Sequence, residues 1–128
     1  MTDKDALKKI DDWWLQQEHQ SLYFDKHGVP ITLGQWIGLF EDLDYRRVAF
    51  TDLGQVQIST VWLGIDHNFT RQGPPVIFET MLFGLFADLD LADRTQWRYR
   101  TLEEAQTGHE RVVADVQKQI EQMLKESE

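Results

Sequence analysis

The chain has 128 residues, no cysteine, and 22 acidic against 13 basic side chains, for a formal charge of −9. That length suits one domain spanning residues 1–128. The charge argues against direct nucleic-acid binding through a basic groove, and the missing cysteines exclude disulfide and thiolate chemistry. No apolar run approaches the roughly 18 residues of a membrane helix. The charged start Met1-Thr2-Asp3-Lys4-Asp5 is unlike a signal peptide, so a cytoplasmic protein without a membrane partner is expected. Five Trp, three Tyr and seven Phe supply the bulk of a core.

In chain order, Leu7, Ile10 and Trp14, with Trp13 beside them, recur at helical spacing over the first 20 residues. Asp25-Lys26-His27-Gly28 reads as a turn. Thr32 followed by Gln35 makes a capping box for a second helix, whose stripe of Leu33, Trp36, Ile37 and Phe40 is expected to face the core. Gly34 and Gly38 lie four apart on that helix, a smooth strip for a close neighbour. The acidic run from Glu41 to Asp44 ends it.

The middle of the chain reads as strands: Tyr45 to Thr51, Gln55 to Leu63, Val76 to Phe83 and Gln96 to Arg100. Asp52-Leu53-Gly54 is the hairpin turn between the first two. Strand two alternates Val56, Ile58, Thr60 and Trp62 with Gln57, Ser59, Val61 and Leu63. Neither side of strands two and three is cleanly polar, which predicts that both are covered, by helices, loops or a second subunit. The final helix starts at a second box, Thr101 with Glu104, and carries Ala105, His109, Val112, Val113, Val116, Ile120 and Met123 at helical spacing. At 1.5 Å per residue it spans roughly 36 Å, enough for its far end to project or to pair with another chain.

The most unusual stretch is Gly64-Ile65-Asp66-His67-Asn68-Phe69 with Thr70-Arg71-Gln72-Gly73-Pro74-Pro75, about a dozen residues between two central strands. Asp66 beside His67 can orient an imidazole, Asn68 adds a polar arm, and Glu79 lies a few residues into the returning strand. The plainer reading is that Asp66 and Asn68 bond loop backbone while His67 packs at the surface. Trp62, Arg98 and Tyr99 complete the candidate binding set. Arg94, Arg98, Arg100 and Arg111 near Trp97 and Tyr99 can stack a base and hold a phosphate, or simply pair with the surrounding carboxylates. The four histidines have no metal-ligand spacing, and the Asp88–Asp93 run lacks a calcium loop's glycine and one of its oxygen ligands. No metal or other cofactor is expected.

One pattern extends beyond these separate features. Ser59-Thr60-Val61-Trp62-Leu63-Gly64-Ile65-Asp66-His67-Asn68-Phe69, then Gly73-Pro74-Pro75-Val76-Ile77-Phe78-Glu79-Thr80-Met81, resembles a family of small uncharacterised proteins encoded by bacteriophages and by bacterial genomes carrying phage-derived genes. Asp25, Pro30-Ile31-Thr32, Asp44 to Ala49, Arg98-Tyr99, Thr101, Glu104-Ala105 and Gly108-His109 also fit, so the likeness covers most of residues 25–113. It implies phage ancestry and an accessory role, and brings no activity or catalytic residues with it.

The expected architecture is α+β, an antiparallel sheet of about four strands packed with N- and C-terminal helices. The expected function is non-catalytic: a phage-type accessory protein binding a host or phage protein. One version is an acidic, anti-CRISPR-like inhibitor of a defence enzyme; a homodimer is a further expectation. The alternative is a binder or sponge for a small nucleotide signal. A third reading is an enzyme built on Asp66, His67 and Glu79.

Overall fold

The computed structural model describes residues 21–68, 70, 72–84 and 95–127. The helix expected over residues 1–20, the Trp13-Trp14 pair, Arg94 and the acidic stretch at 88–93 lie outside the described residues. The described chain begins alongside the long loop, where the Asp66 N–H donates to the Leu22 carbonyl (3.1 Å) and the Phe24 N–H to the Gly64 carbonyl (2.8 Å). The turn at Asp25 follows, with Asp25 Oδ1 accepting the His27 and Val29 N–H groups.

Helix α1 (Leu33–Glu41) has the reciprocal cap expected from its spacing. The Thr32 hydroxyl accepts the Gln35 N–H at 3.1 Å, and the Gln35 side chain accepts the Thr32 N–H at 2.9 Å. The acidic run does end α1, and it also begins a single turn, α2 (Leu43–Arg46), because Asp42 Oδ1 accepts the Asp44 and Tyr45 N–H groups.

Strands β1 (Arg47–Asp52), β2 (Val56–Trp62), β3 (Phe78–Gly84) and β4 (Gln96–Tyr99) form one antiparallel sheet in the order β1-β2-β3-β4. The β1–β2 turn closes through the Leu53 N–H on the Val56 carbonyl, and Asp52 Oδ1 accepts the Gly54 N–H. The long helix α3 (Leu102–Glu126) then crosses the sheet. Thr101 caps it through the Glu104 N–H, but the Glu104 carboxylate reaches the Arg100 N–H at 3.3 Å, one residue before the partner a capping box would use. The architecture is α+β: a four-stranded antiparallel sheet, short helices before it, and a long C-terminal helix packed on it.

The period of two along β2 sorts the core. Val56 and Ile58 join Leu82, Val112 and Val116 in one buried cluster, with Leu53, Trp97, Val113 and Ile120 at its edge. Trp62 joins Phe24, Ile77, Phe78 and Ala105 in a second, capped by Ile31, Trp36, Leu39, Phe40, Tyr45, Leu102 and others. Both clusters lie on the same side of the sheet, the side that carries α1, α2 and α3. The other side holds the rows Arg47–Val61–Glu79–Arg98, Phe50–Ser59–Met81–Gln96 and Asp52–Gln57–Phe83.

Among the described residues the helices pack on one side of the central hairpin; on the outer side Phe50 and Phe83 keep about half their surface in solvent, 50% and 49%. Two expectations need correction. Tyr45 and Arg46, expected to open the first strand, lie in the α2 turn that Asp42 caps, and β1 begins at Arg47. The apolar stripe of α1 is also rotated. Trp36, Leu39 and Phe40 pack inward, whereas Leu33 and Ile37 are 50% and 44% exposed. At 100° per residue Leu39 lies on the far side of Trp36 and Phe40 from Leu33 and Ile37, so an inward arc that includes Leu39 turns those two out.

Candidate functional site

The 64–75 loop is knotted by its own polar side chains. Asp66 Oδ1 accepts the Asn68 N–H (2.8 Å) and, across the loop, the Val76 N–H (2.9 Å). Asn68 donates through Nδ2 to the Gln72 carbonyl (2.6 Å) and accepts the Thr70 hydroxyl at 2.7 Å. His67 Nδ1 lies 2.8 Å from the Ile65 carbonyl, which requires that nitrogen to carry the proton and leaves Nε2 as the acceptor of the neutral ring. The imidazole is therefore oriented by a backbone carbonyl. At the root of the loop Gly64 has φ +71°, and a Cβ there would overlap the Trp62 and Trp36 rings, so only glycine fits.

The remaining candidate residues are distributed by the strand period rather than gathered. Trp62 is fully buried, its Nε1 donating to the Phe24 carbonyl at 3.0 Å and its ring edge-on to Tyr45. Glu79, only 6% exposed, receives a 3.2 Å bond from Arg98 Nε on the outer side of the sheet. Tyr99, next to Arg98 on β4, points to the helix side, where its ring lies against Gly108 and its hydroxyl donates to Thr80 Oγ1 at 3.1 Å. Arg111 shares with Tyr99 a groove of about 530 Å³ that is also lined by Thr101, Glu104 and Gly108.

Two features escape a linear reading. The first is a hydrogen-bonded seam under α3. His109 Nε2 lies 2.9 Å from Thr51 Oγ1 and Nδ1 2.7 Å from Thr60 Oγ1, which in turn is 2.5 Å from Thr80 Oγ1. With Tyr99, the seam takes one residue from each strand and one from the helix. His109 is 4% exposed, and burial pushes its pKa below the ordinary 6.5 of histidine, against a smaller opposing pull from Glu110. The sequence placed His109 on the apolar stripe of α3; Thr51 and Thr60, which receive it, and Thr80, bonded to Thr60, are far apart in the chain, and only strand pairing aligns them.

The second is the outer face of α1. Leu33 and Ile37 stand beside Gly34 and Gly38, and a Cβ at Gly38 would meet nothing within 4 Å. An open groove of about 470 Å³ runs along the glycine edge, lined by Asp25, Ile31, Gly34, Gly38, Leu39 and Tyr45, with Leu33 and Ile37 outside its lining. Glu41, Asp42 and Asp44, which follow in the chain, are exposed. Lys26 and Arg46 rest on aromatic rings, Lys26 4.6 Å from the Tyr45 centroid and Arg46 3.9 Å from that of Phe40. Inward, Trp36 stacks on Phe40 at 4.7 Å and donates through Nε1 to the Leu63 carbonyl at 2.9 Å, which makes the helix a firm platform.

Among the described residues no group of three or more His, Asp or Glu is placed to hold a metal ion, and no helix is long and apolar enough to cross a membrane. Neither a family model, a curated protein nor a solved structure matches the chain.

Proposed function

We propose that this protein is a non-catalytic binding protein that engages another protein through the outer face of α1. The observation that carries this reading is the exposure of Leu33 and Ile37 on a helix whose neighbouring edge, at Gly34 and Gly38, lines a largely apolar groove with Asp25, and which runs on into exposed Glu41, Asp42 and Asp44. Exposed apolar side chains beside charged ones have the anatomy of a docking surface, and the negative charge favours a partner with basic residues around an apolar patch. The phage-type accessory role implied by the sequence resemblance fits that chemistry. In its sharpest form the partner is a defence enzyme whose basic nucleic-acid groove the acidic face occupies.

The test is capture of partners from a bacterial lysate by the wild-type chain and by Ile37→Asp and Glu41→Gln/Asp44→Asn variants. A protein retained by wild type, lost with Ile37→Asp and held with a weaker salt dependence by the charge variant supports the reading. Equal retention by all three overturns it.

A second reading rests on the groove beside Tyr99, where the Arg111 guanidinium shares a ligand-sized space with an aromatic ring. Glu103 and Glu104 on its rim oppose an anion, which places this reading second. A nucleotide that raises the melting temperature of wild type but not of Arg111→Ala would favour it.

A further inference from the structure

The outer side of the sheet carries a different kind of surface. Among the described residues Phe50, Val61, Met81 and Phe83 form its apolar part, and none belongs to the clusters packed under the helices. The described charges around them are Arg47 and Arg98 against Asp52 and Glu79, a balanced set on a chain whose formal charge is −9. Two copies approaching through the α1 face would meet acid with acid. Approaching through this side, they meet no net repulsion.

We infer that two copies of this chain associate through the outer side of the sheet, about a two-fold axis lying across the strands. The charges select that axis. With the axis across the strands, β1 runs antiparallel over its counterpart, and Arg47 at one end meets the partner subunit's Asp52 at the other. With the axis along the strands, β1 lies over β4, and Arg47 would face the partner subunit's Arg98. The first arrangement also brings Phe50 against the partner subunit's Phe50 near the middle of β1. Each arginine or carboxylate is used once per copy, as a two-fold contact requires.

The size of the surface sets the strength. Strands about 4.8 Å apart and up to seven residues long outline a face roughly 20 Å on each side. Two such faces bury on the order of 800 Å² together, at the low end for a specific interface, so the association is reversible and weak. It goes beyond the α1 reading and does not rest on it.

The experiment is sedimentation or light scattering of the full chain over roughly 1 μM to 1 mM, a range that brackets weak association. The mass is expected to rise towards that of two chains with increasing concentration. Phe83→Glu should weaken association about tenfold or more while the melting temperature holds, since this side chain is half in solvent. Arg47→Glu alone should also weaken it by setting like charges together, and adding Asp52→Arg should restore it. A monomeric mass at every concentration overturns the inference, as does association that neither Phe83→Glu nor Arg47→Glu changes. Asp52→Arg also removes turn bonds, so the two single variants decide the question if the double variant fails to fold.

Discussion

The two sides of this sheet are built from the same strands and have different fates. Beneath the helices every even position of β2 is buried, and the polar groups there are joined in one seam through Thr60, Thr80 and His109. On the outer side the odd positions of β2 are half-buried, and they sit among exposed phenylalanines and balanced charges. The difference shows how a small acidic domain divides its labour. One side is committed to holding the fold, and the other keeps apolar area in solvent at little cost to it.

The sharpest way to break this contrast is at Trp62. Trp62→Ala removes a fully buried ring with its bond to the Phe24 carbonyl and should cost about 3–5 kcal/mol, read from the urea midpoint. Thr60→Val comes next. It keeps the shape of the core but deprives His109 Nδ1 and Thr80 of a partner, at a cost of about 1–3 kcal/mol. If Thr60→Val is neutral, the seam holds nothing together and the contrast between the sides loses its polar half.

The acid limb of stability follows from the same histidine. His109 has a lower pKa folded than unfolded, so the unfolded chain takes up the proton first. Its contribution is whole above about 6.5 and is lost as the pH falls from there through the folded value. Urea midpoints should therefore decline between pH 7.5 and 5.5, and the decline should be smaller in His109→Gln. The smallest effect belongs to the outer side: Phe50→Thr should stay within about 0.5 kcal/mol of wild type in dilute solution. A larger loss in the monomer would mean that the outer side is part of the fold after all.

Much of the fold was legible because its signals are local. The Thr32–Gln35 box, the Asp52-Leu53-Gly54 turn and the alternation along β2 all appear where short-range chemistry puts them. The Asp66 and Asn68 bonds of the long loop follow the plainer of the two sequence readings for that stretch. Less legible was the direction of the α1 stripe. Leu33 and Ile37 have the hydrophobicity and spacing of core residues, and nothing in the helix itself says which arc will meet Trp62 and Tyr45.

The amino-acid sequence by itself determined where α1 and α3 begin, where the β1–β2 hairpin turns, which residues of each strand share a side, and that the chain is acidic; it did not mark the α2 turn. These depend on capping groups, turn residues and the period of two, all of which act within a few residues. Only the tertiary structure decided that His109 meets Thr51 and Thr60 from two strands, with Thr80 of a third bonded to Thr60, that Arg98 reaches Glu79 on the neighbouring strand, and that α1 turns Leu33 and Ile37 to solvent. Each is a long-range choice, fixed by how elements far apart in sequence divide a limited buried space among themselves.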